Sequence, residues 1–178
     1  MDDFSRALDS RVSQDDWNRM AGFAGVSPAE LKASISSALQ SSTAAWQSAP
    51  THQTFKVPAT TKSAQCETQD FEISLFKIIG VAGSLTLCGT STSDWSAELQ
   101  VCLLVAGSKV WCTTYKFDPH NLGVCFSPSV GVAKADLCFA LQINGNRVCF
   151  NINGKACIWT FGWHCGDFNV TPFCLPLP

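Results

Sequence analysis

From Thr54 to the C-terminus, short apolar runs are cut by Gly, Pro, Asn and Ser. The interruptions recur at about 8–14 residues, the spacing of an all-β sandwich. Val, Ile, Phe, Thr and Trp dominate the runs, and no stretch in this part has a convincing helical period. The pattern places strands near 54–58, 70–79, 84–88, 96–105, 109–117, 122–126, 136–143, 147–152 and 155–161, with a last segment near 168–174. The expected fold is an antiparallel β sandwich, or flattened barrel, of about eight to ten strands.

Two Asn-Gly pairs, Asn144-Gly145 and Asn153-Gly154, are the strongest hairpin signals. Two-residue loops there would set Leu141 against Val148, Phe139 against Phe150, and Phe150 against Cys157. The opposite face would hold Ala140, Cys149 and Ile158 in one row, and Cys138, Asn151 and Ala156 in the next. Both faces are then largely apolar, as in a sheet packed on both sides.

Cys88, Cys102, Cys112, Cys125, Cys138, Cys149 and Cys157 fall about one per strand, each amid apolar neighbours. In the register above no two cysteines are direct partners, and Cys138 and Cys149 are only diagonal neighbours. A bridge needs Cβ atoms about 3.5–4.5 Å apart. The economical expectation is reduced thiols filling a core, in a reducing compartment.

Residues 1–50 read instead as a helical segment and linker, distinct from the β part at 51–178. Phe4, Leu8 and Val12 form one apolar stripe. Ser13 and Asp16 open a second helix, with Trp17, Met20, Ala21 and Ala24 on its buried face and Gly25 as its stop. Ser27, Pro28 and Glu30 open a third, lined by Leu31, Ile35 and Leu39. The small-residue run 41–50 reads as a linker in which Trp46 docks. Residues 21–35, AGFAGVSPAELKASI, resemble the helix-turn-helix segment of bacterial repressors. The second helix offers Pro28, Ala29, Glu30, Lys32, Ala33 and Ser34 where base readout and phosphate anchoring need Arg, Lys, Asn or Gln. Two packed helices around a tight turn are expected, without nucleic-acid binding.

Charged residues are 15% of the chain, against roughly 25% in an average soluble domain. So charge-poor a surface suggests burial against copies of itself, a partner or a lipid. The net charge of −2 gives no basic field for phosphate backbones. No apolar run reaches the roughly 18 residues of a spanning helix, and MDDFSRALDSRV lacks a secretory signal's basic flank and apolar run. Cytoplasmic synthesis follows, with later release or export open.

Chemistry-bearing residues gather only in FGWHCGDFN, residues 161–169. A cysteine nucleophile needs a nearby His. His164 and Cys165 are adjacent, so on a strand they point to opposite faces, leaving His120 or His52 as possible spatial partners. The closest cysteines are eight residues apart, without the short pair typical of zinc sites, and no phosphate-cradling loop is present. No metal and no cofactor are expected. Trp95 and Trp163, beside Asp94 and Asp167, could stack on a sugar ring or sit at a lipid boundary. The terminal TPFCLPLP cannot form a regular ladder, and Phe173, Leu175, Pro176 and Leu177 read as an arm lying in a groove, its own or a neighbour's. The leading expectation is a non-enzymatic, self-associating structural protein, a homo-oligomer. The alternatives are a toxin- or lectin-like β module for a lipid or carbohydrate surface, using Trp95, Trp163, His164 and Asp167, and a hydrolase centred on Cys165.

Overall fold

A computed structural model describes residues 3–48, 53–56, 61–62, 66–75, 78–160 and 162–178. Three helices come first: α1 (Asp3–Arg11), α2 (Gln14–Ala24) and α3 (Pro28–Ser48). The Asp16 N–H donates to Ser13 Oγ at 3.1 Å, and the Glu30 N–H to Ser27 Oγ at 3.2 Å, so both serines cap as expected. Gly25 takes the left-handed conformation and its N–H reaches the Ala21 carbonyl, ending α2. The expected linker at 41–48 is instead the last part of α3. Its Ala residues favour helix, and after Pro28 no proline appears until Pro50. The Trp46 side chain lies outside the described residues.

The strands are β1 (Gln53–Lys56), β2 (Thr61–Lys62), β3 (Cys66–Leu75), β4 (Ile79–Ser91), β5 (Asp94–Val105), β6 (Ser108–Phe117), β7 (Gly123–Phe126), β8 (Ala133–Asn144), β9 (Arg147–Trp159) and β10 (Trp163–Pro176). They form two antiparallel sheets. The first runs β1-β3-β4-β5-β6, with β2 also on β3, and the second β10-β9-β8-β7. Phe71 on β3 meets Phe150 on β9 at 5.2 Å and Phe173 on β10 at 6.5 Å between ring centroids. At the other side Trp111 on β6 meets Phe126 on β7 at 5.9 Å. The sheets thus lie face to face over an aromatic and aliphatic core, the expected sandwich.

Helix residues Leu8, Trp17, Met20, Leu31 and Ile35 belong to the same buried cluster as sheet residues Leu99, Phe117, Phe139 and Ile152. Arg11 Nε donates to the Gly131 carbonyl at 2.9 Å, tying the end of α1 to the loop before β8. Lys32 and Asp9 pair between α3 and α1.

Three expectations about the strands change. First, the expected strand 70–79 spans the end of β3 and the start of β4, and 84–88 is the middle of β4. The glycines read as punctuation lie inside β4. At Gly83 an added Cβ would collide with the Gln100 carbonyl, so the close approach of β5 demands glycine. Second, Asn153-Gly154 makes no turn, because β9 runs straight through it. Gly154 has φ +146°, and a Cβ there would strike the Asp136 carbonyl of β8. Third, the hairpin before β9 turns at Gly145-Asn146, pairing Asn144 with Arg147. Gly145 carries a positive φ and Asn146 does not, the pattern of a type II′ turn with glycine first. The register therefore moves two residues, setting Leu141 against Phe150, and the inward face is kept.

The reduced-core expectation is overturned. All ten cysteines are paired: Cys66–Cys88, Cys102–Cys112, Cys125–Cys138, Cys149–Cys174 and Cys157–Cys165, with none left free. Each pair is a direct cross-strand partnership in one sheet, with Cα atoms 3.9–4.1 Å apart. None crosses between the sheets. The expected double packing of the second sheet also fails. Leu137, Phe139 and Leu141 point inward, while Lys134, Asp136, Cys138 and Gln142 face outward to solvent to varying degrees. The cystines lie on the outward positions.

The C-terminal arm is the edge strand of its own sheet. Leu175 is buried, Phe173 rests on Phe150, and the Leu177 N–H donates to Asn146 O at 2.7 Å. Pro176 opposes Arg147. An edge strand needs no donor on its open side, and Pro172 sits in a bulge between Val170 and Phe173. The bulge adds one residue and so inverts the parity of β10. Cys165, Asp167 and Asn169 face outward before it, and Cys174 faces outward after it.

Candidate functional site

The outer face of the second sheet collects most of the chemistry. Residues alternate along a strand, so Asn151, Asn153, Lys155 and Cys157 of β9 share this face with Trp163, Cys165, Asp167 and Asn169 of β10. Its centre is an amide cluster. Asn151 Nδ2 donates to Asn169 Oδ1 at 3.0 Å, to the Val170 carbonyl at 3.1 Å and to Thr171 Oγ1 at 3.3 Å. Val170 and Thr171 stand where the register of β10 shifts, so Asn151 bonds to the backbone and side chain at the bulge itself. Asn153 Nδ2 donates to Asn151 Oδ1 at 3.1 Å. Asn153 Oδ1 and Asn169 Nδ2 then have no partner among the described residues, and an acceptor and a donor stand on cross-strand neighbours.

Beside the amides lies a charged row, Asp136–Lys155–Asp167, in register across β8, β9 and β10. Ser127 Oγ donates to Asp136 Oδ1 at 2.8 Å. A groove of about 320 Å³ follows, lined by Ser127, Ser129, Lys134, Lys155, Cys157 and Cys165 among others. At the far end Trp163 is half-buried between two cations: Arg11 Cζ lies 4.6 Å from its ring centroid and Lys134 Nζ 4.3 Å. Arg11 also covers Trp159 at 5.1 Å.

The residues singled out from the sequence divide among several places. Trp163 and Asp167 lie on this face. His164 is half-buried and points to the other side of β10, as strand alternation requires. Trp95 sits in β5 of the other sheet, 4% exposed, with its indole N–H unpartnered among the described residues. It is closed off from a surface ligand. Cys165 is bonded to Cys157 and carries no thiol nucleophile in this state. His120 lies in the turn between β6 and β7, at the opposite sheet edge from β10, and His52 lies outside the described residues. Among the described residues no group of three or more His, Cys, Asp and Glu could hold a metal ion. Sequence reasoning missed Asn151, Asn153, Asn169, Lys134 and Lys155. The i, i+2 spacing of Asn151 and Asn153 is the signal, hidden by reading Asn153-Gly154 as a turn.

No family model, curated protein or solved structure matches the chain.

Proposed function

We propose that the protein is a non-enzymatic, disulfide-stapled binding module, and that the outer face of its second sheet takes a polyhydroxylated ligand, a carbohydrate. The observation that carries this reading is the amide cluster of Asn151, Asn153 and Asn169. It leaves an acceptor and a donor side by side on a rigid sheet. A sugar hydroxyl both donates and accepts, so two neighbouring hydroxyls match that pair. The network already fixes the amides, so little side-chain entropy is lost on binding. Asp136 and Asp167 add acceptors at the margin. Five cystines favour an oxidising compartment.

Retention on a panel of insoluble polysaccharides tests it. The wild type is expected to bind at least one, and Asn153→Ala and Asn169→Ala to lose that retention while keeping the wild-type circular dichroism. No retention on any polysaccharide, or equal retention by both variants, would overturn the reading.

Self-association is the second reading. Phe23 is 38% exposed and Val26 41%, at the turn between α2 and α3. Phe23 also borders a groove shared with Val110, Trp111 and Val130. Sedimentation at high concentration should show an oligomer that Phe23→Ser dissociates, and a wild-type monomer would remove this reading.

A further inference from the structure

Two outer grooves have a cystine in their walls, and their charges are opposed. The groove on the first sheet, about 500 Å³, carries Cys102 with Asp70, Glu72 and Lys109. The groove on the second sheet carries Cys157 and Cys165 with Lys134, Lys155 and Asp136. An approaching thiolate is repelled by the first set and attracted by the second.

We propose that the Cys157–Cys165 cystine is a thiol-exchange site for a small thiol bearing a carboxylate, which ends as a mixed disulfide on Cys165. This goes beyond the carbohydrate reading and does not rest on it.

Access decides which sulfur is attacked. Cys165 is exposed on the edge strand β10, whereas Cys157 is 4% exposed. The incoming thiolate therefore forms its bond to Cys165 Sγ, the Cys157–Cys165 bond breaks, and the electron pair leaves on Cys157 Sγ. Nothing is oxidised or reduced overall: one disulfide and one thiolate give another disulfide and another thiolate. Lys134 is the direct cross-strand partner of Cys157, and Lys155 stands two residues away on the same face. Cations beside a thiolate stabilise it, which helps it leave. Asp136 and Asp167 flank Lys155 in register and offset part of its charge, so Lys134 carries most of the effect. In the reverse step the Cys157 thiolate attacks Cys165 Sγ and expels the small thiol.

The fold tolerates the opening. β9 and β10 are joined twice, and Cys149–Cys174 still holds them when Cys157–Cys165 is broken. The other stapled strand pairs, β3–β4, β5–β6 and β7–β8, have one cystine each.

The test exposes the folded, oxidised protein to 3-mercaptopropionate or to neutral 2-mercaptoethanol, quenches with acid, alkylates, and maps adducts by mass spectrometry. The first adduct should be on Cys165, and per thiolate the anionic thiol should react roughly fivefold faster. Lys134→Gln should keep Cys165 as the target and remove most of that preference. A first adduct on any other cysteine, equal rates for the two thiols, or an unchanged preference in Lys134→Gln would overturn the proposal.

Discussion

Gly83 on β4 and Gly154 on β9 play matching parts in the two sheets. Each lets the neighbouring strand's carbonyl approach where a Cβ would collide, and at Gly154 φ is +146° as well. Gly154→Ala should therefore destabilise the fold by on the order of 1–3 kcal/mol from backbone strain alone. Urea unfolding measures it, and an unchanged midpoint would show that the strand does not run straight there. Asp118 acts in the turn between β6 and β7. The His120 backbone N–H donates to its Oδ1 at 2.7 Å, and with the Asn121 side chain this holds the carboxyl below its ordinary value. Because the folded-state pKa is depressed, the ionised form adds stability above the unfolded carboxylate range. That contribution is lost as pH falls through the folded value. An NMR titration should place Asp118 below a model aspartate, and a value at or above the model would contradict the turn geometry. Neither glycine was legible for what it is, because a glycine inside a strand and one in a turn look the same until the neighbouring strand is known.

Among the elements, the cystines staple alternate hairpins of the sandwich, β3–β4, β5–β6, β7–β8 and β9–β10, and leave the β4–β5 and β8–β9 hairpins between them unstapled. In the loop-entropy account the staple's contribution grows with the separation it closes. Cys157–Cys165 closes 8 residues and Cys149–Cys174 closes 25. Replacing the first pair by Ser should cost roughly 2.5 kcal/mol and the second roughly 3.5 kcal/mol. Denaturant melts of the two double variants check the order, and a greater loss from removing Cys157–Cys165 would contradict it. The helix caps at Ser13, Ser27 and Gly25 were readable because a cap is local, involving residues three or four apart. The cystine partners were not. Cys149 meets Cys174 only because a bulge at 171–172 inverts the parity of β10, and no local pattern announces that register. A two-residue slip at Gly145-Asn146 shows the same limit: the turn was located, but its type set the pairing.

In the molecule as a whole, the cystines hold strands within sheets, and one apolar interior packs the two sheets together. Phe150 is central to that interior. It is fully buried and meets Phe71 of the opposite sheet at 5.2 Å, Phe139 at 6.0 Å and Phe173 at 5.4 Å. Phe150→Ala should cost roughly 3–5 kcal/mol, read from its thermal or urea transition, and a loss under 1 kcal/mol would mean that the sheets are held otherwise. Fold class was legible because apolar runs with regular turn residues admit few arrangements other than packed antiparallel sheets. The candidate face was legible only at Trp163 and Asp167, since its amides gather from two strands. On composition alone, the charge-poor surface is a sign of association. The structure places Asn, Ser and Thr at many of its outer positions, and these meet water without charge. Peptide mapping of the unreduced protein under denaturing, alkylating conditions tests this arrangement most directly. It should find no alkylated thiol and the five linkages Cys66–Cys88, Cys102–Cys112, Cys125–Cys138, Cys149–Cys174 and Cys157–Cys165. Alkylated cysteines, or a linkage joining a strand of one sheet to a strand of the other, would contradict it.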